Sequence, residues 1–221
     1  MKLIKYVSSI FISLLILTRL ASAEVAMGVT GTLAMVDAEG NETEGTAADT
    51  SNRKASADNT VVYGSIFIEH VADNGFAIGI SYNPFSADVS DQTHERTETS
   101  VAGSGEGVTG SNTRKASAEV ENYMTAYIEI PFSAAYLKAG VAQIDVKTGE
   151  NALTNGGTYG DATLDGYIVG LGMRRDAGDY FWKISADYVD FDELSLNSST
   201  NNSIKADLDV TEINFSIGKA F

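Results

Sequence analysis

The sequence predicts an all-β protein: an eight-stranded antiparallel up-and-down transmembrane β-barrel, with short periplasmic turns and long acidic extracellular loops. Three observations predict it. Strict apolar/polar alternation recurs in segments of about 10 residues, the length a tilted strand needs to cross a bilayer. The connections alternate between short turns and long polar stretches. After the amino terminus, no window holds the 18 consecutive apolar residues of a spanning helix. Composition agrees. The 221 residues include 21 Gly but 2 Pro, with 10 Tyr and 9 Phe, which favours strands and turns. The 43% hydrophobic content is ordinary for a soluble protein, but a barrel greasy outside and polar inside averages to the same figure.

The first 23 residues read as a secretory signal peptide. Lys2 and Lys5 form a basic start, Val7 to Leu17 an apolar run, and Ala21-Ser22-Ala23 a small-residue cleavage site. The expected mature chain, residues 24–221, is the barrel. Removing Lys2, Lys5 and Arg19 takes the formal charge from −15 to −18. That acidity argues against nucleic acid, which is bound by Lys and Arg. The absence of cysteine excludes disulfides, zinc–thiolate sites and Cys nucleophiles.

The strands follow in order. Val25, Met27, Val29, Gly31, Leu33 and Met35 form one greasy face against small or polar even positions. The second strand sets Val62, Gly64, Ile66 and Ile68 against Tyr63, Ser65, Phe67 and Glu69, apolar on both sides. Phe76, Ile78, Ile80 and Tyr82 mark the third; Met124, Ala126, Ile128, Ile130 and Phe132 the fourth. Leu137, Ala139 and Val141 mark the fifth, whose phase is expected to slip by Ile144 and Val146 through a bulge. Tyr167 to Met173, Trp182 to Tyr188 and Ile213 to Phe221 complete the set. Short turns are expected at 72–75, 133–135 and 176–179, and long loops near 37–59, 86–120, 145–163 and 190–207. Widened slightly at their ends, those loops hold 22 of the 30 acids against 7 bases. Phe76, Phe132, Tyr180, Trp182 and Phe221 near the turns, and Tyr82, Phe85 and Tyr188 near the loops, suit two interfacial aromatic belts.

The last strand, Ile213-Asn214-Phe215-Ser216-Ile217-Gly218-Lys219-Ala220-Phe221, resembles the carboxy-terminal signature of bacterial outer-membrane β-barrels. The whole pattern resembles the small eight-stranded barrels of the outer membrane protein A type. The resemblance implies residence in the bacterial outer membrane and recognition of Phe215, Ile217 and Phe221 by the barrel assembly machinery. Lys219 departs from the signature, which carries an apolar or aromatic residue there. With nothing after Phe221, no appended periplasmic domain is expected. Members of this class do different jobs, so the resemblance carries architecture and not activity.

Candidate functional residues fall into three groups. Glu69, Glu129, Lys138, Arg174, Lys183, Asp187 and Glu212 are assigned to the inward face. Such charges must pair, because an eight-stranded barrel is only wide enough for side chains to fill it. Glu129 and Lys138 are expected to face each other across their hairpin. Asp190 and Asp192, two apart on a strand, are a candidate clamp for a hard cation. Acidic loops beside lipopolysaccharide repel it unless divalent cations bridge the two. No catalytic residue is assigned: His70 sits by a turn, and His94, beside Ser90, Asp91 and Glu95, sits in a loop tip of linker-like composition spanning Ser90 to Thr113. The segment Arg53-Lys54-Ala55-Ser56-Ala57 recurs as Arg114-Lys115-Ala116-Ser117-Ala118, ahead of two similar strands, and these basic pairs are placed where the strands leave the membrane. The expected role is a monomeric structural or surface-interaction barrel that is not an enzyme, needs no cofactor and is plugged by paired charges. Its expected partners are outer-membrane lipid, lipopolysaccharide and the assembly machinery. A narrow channel for ions or small solutes is the alternative, and a lipid-modifying or proteolytic rim enzyme a third.

Overall fold

The computed structural model describes residues 24–46, 49–88, 94–98, 112–151, 158–198 and 202–221. Its elements are β1 (Glu24–Thr46), β2 (Asp49–Val71), β3 (Ala77–Asn83), β4 (Ala87–Asp88), β5 (His94–Glu98), β6 (Asn112–Phe132), β7 (Ala135–Asn151), β8 (Ala162–Ala177), β9 (Tyr180–Phe191), β10 (Leu194–Asn197) and β11 (Ser203–Ala220). There is no helix among the described residues.

Eight strands form a ring in the order β1-β2-β3-β6-β7-β8-β9-β11, closed by antiparallel pairing of β11 with β1. Closure pairs the first strand of the ring with the last, as lipid requires, because a lipid-exposed edge has no hydrogen-bond partner. Two inward pairs staple the closing seam: Thr30 with Ser216 at 2.8 Å, and Thr32 donating to Asn214 at 2.5 Å. The Phe221 amide donates to the Val25 carbonyl at 2.9 Å. β4 and β5 pair with β6, and β10 with β11, beside the ring.

The outer face is a belt of exposed apolar side chains. Val25, Met27, Val29, Leu33 and Met35 of β1 are exposed, as are Val62, Ile66 and Ile68 of β2 and Leu137, Tyr167, Val169, Leu171, Ile213, Phe215 and Ile217 around the ring. Their strand neighbours Ala26, Thr32, Ala34, Phe67 and Glu69 are buried inside. A soluble barrel has the opposite arrangement, so this one spans a membrane. Ile78 is the exception on the belt, buried at 4% exposure.

The turns match their chemistry. Gly75 (φ 81°) and Gly178 (φ 66°) take the left-handed backbone that closes two of them. Ser133 (φ 60°) takes it in the third.

Three expectations need correction. First, much of the predicted loop length is strand. β1 and β2 stay paired out to Thr46↔Asp49, so each runs 23 residues, roughly 75 Å at the usual rise. β6 likewise starts at Asn112 and β7 continues to Asn151. His94 and Glu95 lie in β5, paired with Ala116 and Lys115, rather than in a loop tip; Ser90 and Asp91 lie outside the described residues. Second, the phase of β7 does not slip. Ala142, Ile144 and Val146 continue the inward face of Tyr136 and Lys138, and all three are buried. The bulge is in the facing strand: Glu121 pairs with Asp145 and Met124 with Gln143, so Asn122 and Tyr123 oppose Ile144 alone. Asn122 holds φ 54° there, a conformation Asn tolerates. The extra residue flips the face of β6, turning Val120 and Ala118 inward. Third, Arg53 and Lys54 do not sit at the membrane surface. They lie eight or nine residues beyond Val62, at the top of the apolar belt, which is roughly 25–30 Å along the strand.

Candidate functional site

The interior is stacked in three tiers. At the periplasmic end, Ala26, Phe67 and Phe181 form a buried apolar floor with Val71 and Ala220 against it. In the middle lie the ionisable groups. At the outer end, Ala142, Ile144, Val146, Leu164, Ile168, Val189, Phe191 and Leu208 form an apolar cap, with Val36, Ala38, Val120 and Tyr123 packed against it.

Glycines make the floor and middle possible. Gly28 pairs directly with Phe67, Gly79 with Tyr127, Gly172 with Tyr136, Gly218 with Phe181, and Gly166 with Phe191. In each pair the ring fills the space a Cβ would need; at Gly79 the Tyr127 ring would be 2.6 Å away. Large rings thus lie across the lumen on strands only about 5 Å from their partners.

The middle tier brings together all seven interior charges assigned from sequence. Lys183 sits between two carboxylates, paired with Glu69 and, at 2.8 Å, with Glu129. Arg174 approaches Glu69 at 3.6 Å and stacks on the Phe181 ring at 3.8 Å. Lys138 pairs with Asp187 at 2.7 Å. Glu129 and Lys138 are register partners, both inward, yet each pairs with a different residue. Neutral donors fill in the rest. The Tyr127 hydroxyl donates to Glu69 at 2.8 Å, and Asn214 donates to Asp187 at 2.9 Å. Glu212 makes no direct ion pair among the described residues; it accepts from Tyr63 at 2.5 Å and from Asn214 at 3.4 Å. This tier encloses a cavity of about 40 Å³ lined by Thr30, Tyr63, Ser65, Thr125, Asn214 and neighbouring polar groups, room for a few waters.

Sequence reasoning missed the tyrosines. Tyr63 and Tyr123 lie edge to face at 6.1 Å, and Tyr123 packs on Phe191 at 6.3 Å. Their signal was the matched pattern Tyr63, Phe67, Glu69 and Tyr123, Tyr127, Glu129 in β2 and β6.

The outer rim gathers acids. Asp58 pairs with Asp37, Asp37 with Asp209, and Asp209 with Asp190. Four aspartates therefore stand side by side across β2, β1, β11 and β9, on the outward face two positions above the belt residue Met35. Asp209 accepts from the Tyr188 hydroxyl at 2.9 Å. Asp192 follows β9 and donates its amide to the Asp165 carbonyl. No three His, Cys, Asp or Glu side chains converge on a metal-sized site among the described residues, so no third such side chain joins Asp190 and Asp192. His70 is the last residue but one of β2, its Nε2 buried without a hydrogen-bond partner among the described residues. Lys219 lies 5.5 Å from the Tyr180 ring centre and 5.1 Å from that of Phe221, its ammonium resting on aromatic faces.

No protein-family model matches the sequence, and no curated protein matches it. Solved structures do. The attachment invasion locus protein Ail of Yersinia pestis, in complex with the heparin analogue sucrose octasulfate, is 11% identical, over 90% of this chain and 99% of that one, at a TM-score of 0.48. The outer membrane protease OmpT of Escherichia coli is 9% identical over 90% and 97%, at 0.47. Neisserial surface protein A is 9% identical over 89% and 99%, at 0.42. Resemblance at this level assigns no activity. The closed ring, the apolar belt and the alternating inward face are features of this chain itself, and they give it the architecture of the small bacterial outer-membrane β-barrels.

Proposed function

We propose that the protein is an outer-membrane barrel with a structural or surface-interaction role, and that it conducts no solute. The observation carrying this reading is the three-tier interior. An ion entering from outside meets the apolar cap around Ile144, Phe191 and Leu208, and from below the floor of Phe67 and Phe181. Between them, the middle tier holds a water-sized cavity of about 40 Å³. The expected result in a planar bilayer is an insulating protein after refolding from denaturant. Stable single-channel steps would overturn the reading. The assembly signal at Phe215, Ile217 and Phe221, and export with cleavage before Glu24, belong to the same proposal. Mass spectrometry of protein from outer membranes is then expected to show a chain beginning at Glu24.

The surface role rests on the acidic rim. Asp58, Asp37, Asp209 and Asp190 face the headgroup zone, where lipopolysaccharide is anionic. Lacking a third ligand from the protein, they hold a divalent cation only when the lipid supplies the remaining oxygens. The rank thus serves to anchor the barrel among lipopolysaccharide phosphates through shared calcium or magnesium.

A further inference from the structure

Among the described residues, the hydrogen-bonded wall of the barrel is interrupted beside β3. β3 pairs with β2 only from Val71↔Ala77 to Ile66↔Tyr82. Beyond that, Pro84 has no amide to donate, and the Phe85 amide turns back to Asn83 Oδ1 at 2.9 Å. The chain rejoins only β6, through Ala87↔Val120 and Asp88↔Glu119. Among the described residues, no strand pairs with the edge of β2 from Asp49 to Ser65 on that side; Asn59 Nδ2 donating to the Asp88 carbonyl at 3.1 Å is the crossing contact. Behind this seam lies a second cavity of about 60 Å³. Its walls are apolar, formed by Val36, Val61, Val120, Ile144 and Val210. Its floor is polar, formed by Tyr63, Tyr123 and Glu212.

Three features define what fits. The mouth belongs to the lipid-facing surface: Phe85 is exposed at 61% and Val62 at 78%, and the Phe85 ring lies against Gly64, covering the seam from the membrane side. A ligand therefore arrives from the bilayer. The Tyr123 hydroxyl is buried beside the Glu212 carboxylate but completes no hydrogen bond of normal geometry to it, which leaves a donor that gains from an aligned acceptor. Glu212 beside it opposes an anionic head.

We propose that this cleft binds a small uncharged amphiphile drawn from the outer leaflet, an alkyl chain ending in a carbonyl. The carbonyl oxygen accepts from Tyr123, and the chain leaves between Val61 and Phe85 into the lipid. The enclosed volume, larger than the polar cavity of the middle tier, holds the head and its first carbons, and the belt shields the rest. This goes beyond the sealed-barrel reading, since a side pocket needs no path through the lumen.

The probe is 2-nonanone labelled with ¹³C at its carbonyl, added to the full-length mature barrel in lipid nanodiscs. The expected result is a second carbonyl resonance, shifted downfield by the tyrosine hydrogen bond and saturating with ligand. Tyr123→Phe is expected to remove the downfield shift and weaken binding three- to tenfold. Val36→Phe, which fills the cavity from a partly buried position, is expected to abolish the resonance. Nonane, lacking the acceptor, is expected to compete three- to tenfold less well. Amide dispersion in both variants checks that they are folded. A single resonance that scales with lipid content, or a shifted one that survives both variants, would overturn the proposal.

Discussion

At the scale of single residues, Lys183 carries the heaviest electrostatic duty. It is buried at 4% exposure between Glu69 and Glu129. Removing its charge leaves two carboxylates facing each other, with Arg174 at 3.6 Å from Glu69 and Lys138 across from Glu129 in partial compensation. Lys183→Met is expected to lower unfolding stability by about 3–5 kcal/mol, read from urea unfolding in phospholipid vesicles. Adding Glu129→Gln to it is expected to restore part of that loss, and no recovery would show that the two do not share the site. The glycine–ring pairs give a second test. A side chain at Gly218 drives into the Phe181 ring, which is almost completely buried. Gly31 has open space where its Cβ would go. Gly218→Val is therefore expected to cost about 1–3 kcal/mol, the usual range for overpacking, and Gly31→Ala to cost little. Equal losses at both sites would mean that strand propensity, rather than the ring, decides.

At the scale of elements, legibility followed the solvent. Alternation exposes a strand only where its two faces meet different surroundings. Val25 to Met35 lies between lipid and lumen, so its phase was plain. Residues 39–46 continue the same strand into water, where both faces are polar or small, and so read as loop. Above the belt the contrast inverts: water lies outside and an apolar cap inside. Ile144 and Val146 thus looked like a slip of phase when they kept it, and the real irregularity, Asn122, carried only the ordinary mark of an Asn beside a Tyr. The extended β1–β2 hairpin yields a direct expectation. Amides of the ladder between Asp37 and Glu42 are expected to show the slow hydrogen exchange of paired strand, whereas a loop exchanges within the dead time. The β7–β8 connection yields another. Asp161 accepts from Lys147 at 2.9 Å and from the Thr148 amide at 3.2 Å, and these bonds hold its carboxyl below the usual carboxylate range. A depressed folded value means the clip is intact above the unfolded pKa and lost as pH falls through the folded one. The Thr148 amide resonance is expected to hold steady from neutral pH down to the ordinary carboxylate range and to move below it. Asp161→Asn is expected to remove that acid transition.

At the scale of the whole molecule, the distribution of charge is the unresolved tension. The middle tier sets three cations against four acids, nearly balanced, so the burden of the formal −15 falls on the outside. Four aspartates in one cross-strand row put like charges directly opposite, an arrangement that destabilises a sheet. Neighbours about 5 Å apart lie well inside a Debye length of about 8 Å at physiological salt, so salt alone does not relieve them. A fold that keeps this row benefits from a counterion there, and a cation shared with lipid phosphate does that while fixing the barrel's depth. The double variant Asp37→Asn and Asp209→Asn separates the two effects. In phosphocholine vesicles without divalent ions it is expected to melt above the wild type, since repulsion is relieved. In bilayers containing lipopolysaccharide, magnesium is expected to raise the wild-type Tm by several degrees and the variant's by much less. If magnesium raises both equally, the row is only solvated surface and the lipid anchor is lost as an explanation. If the variant melts lower even without divalent ions, the Tyr188–Asp209 contact outweighs the repulsion, and the row is structural instead.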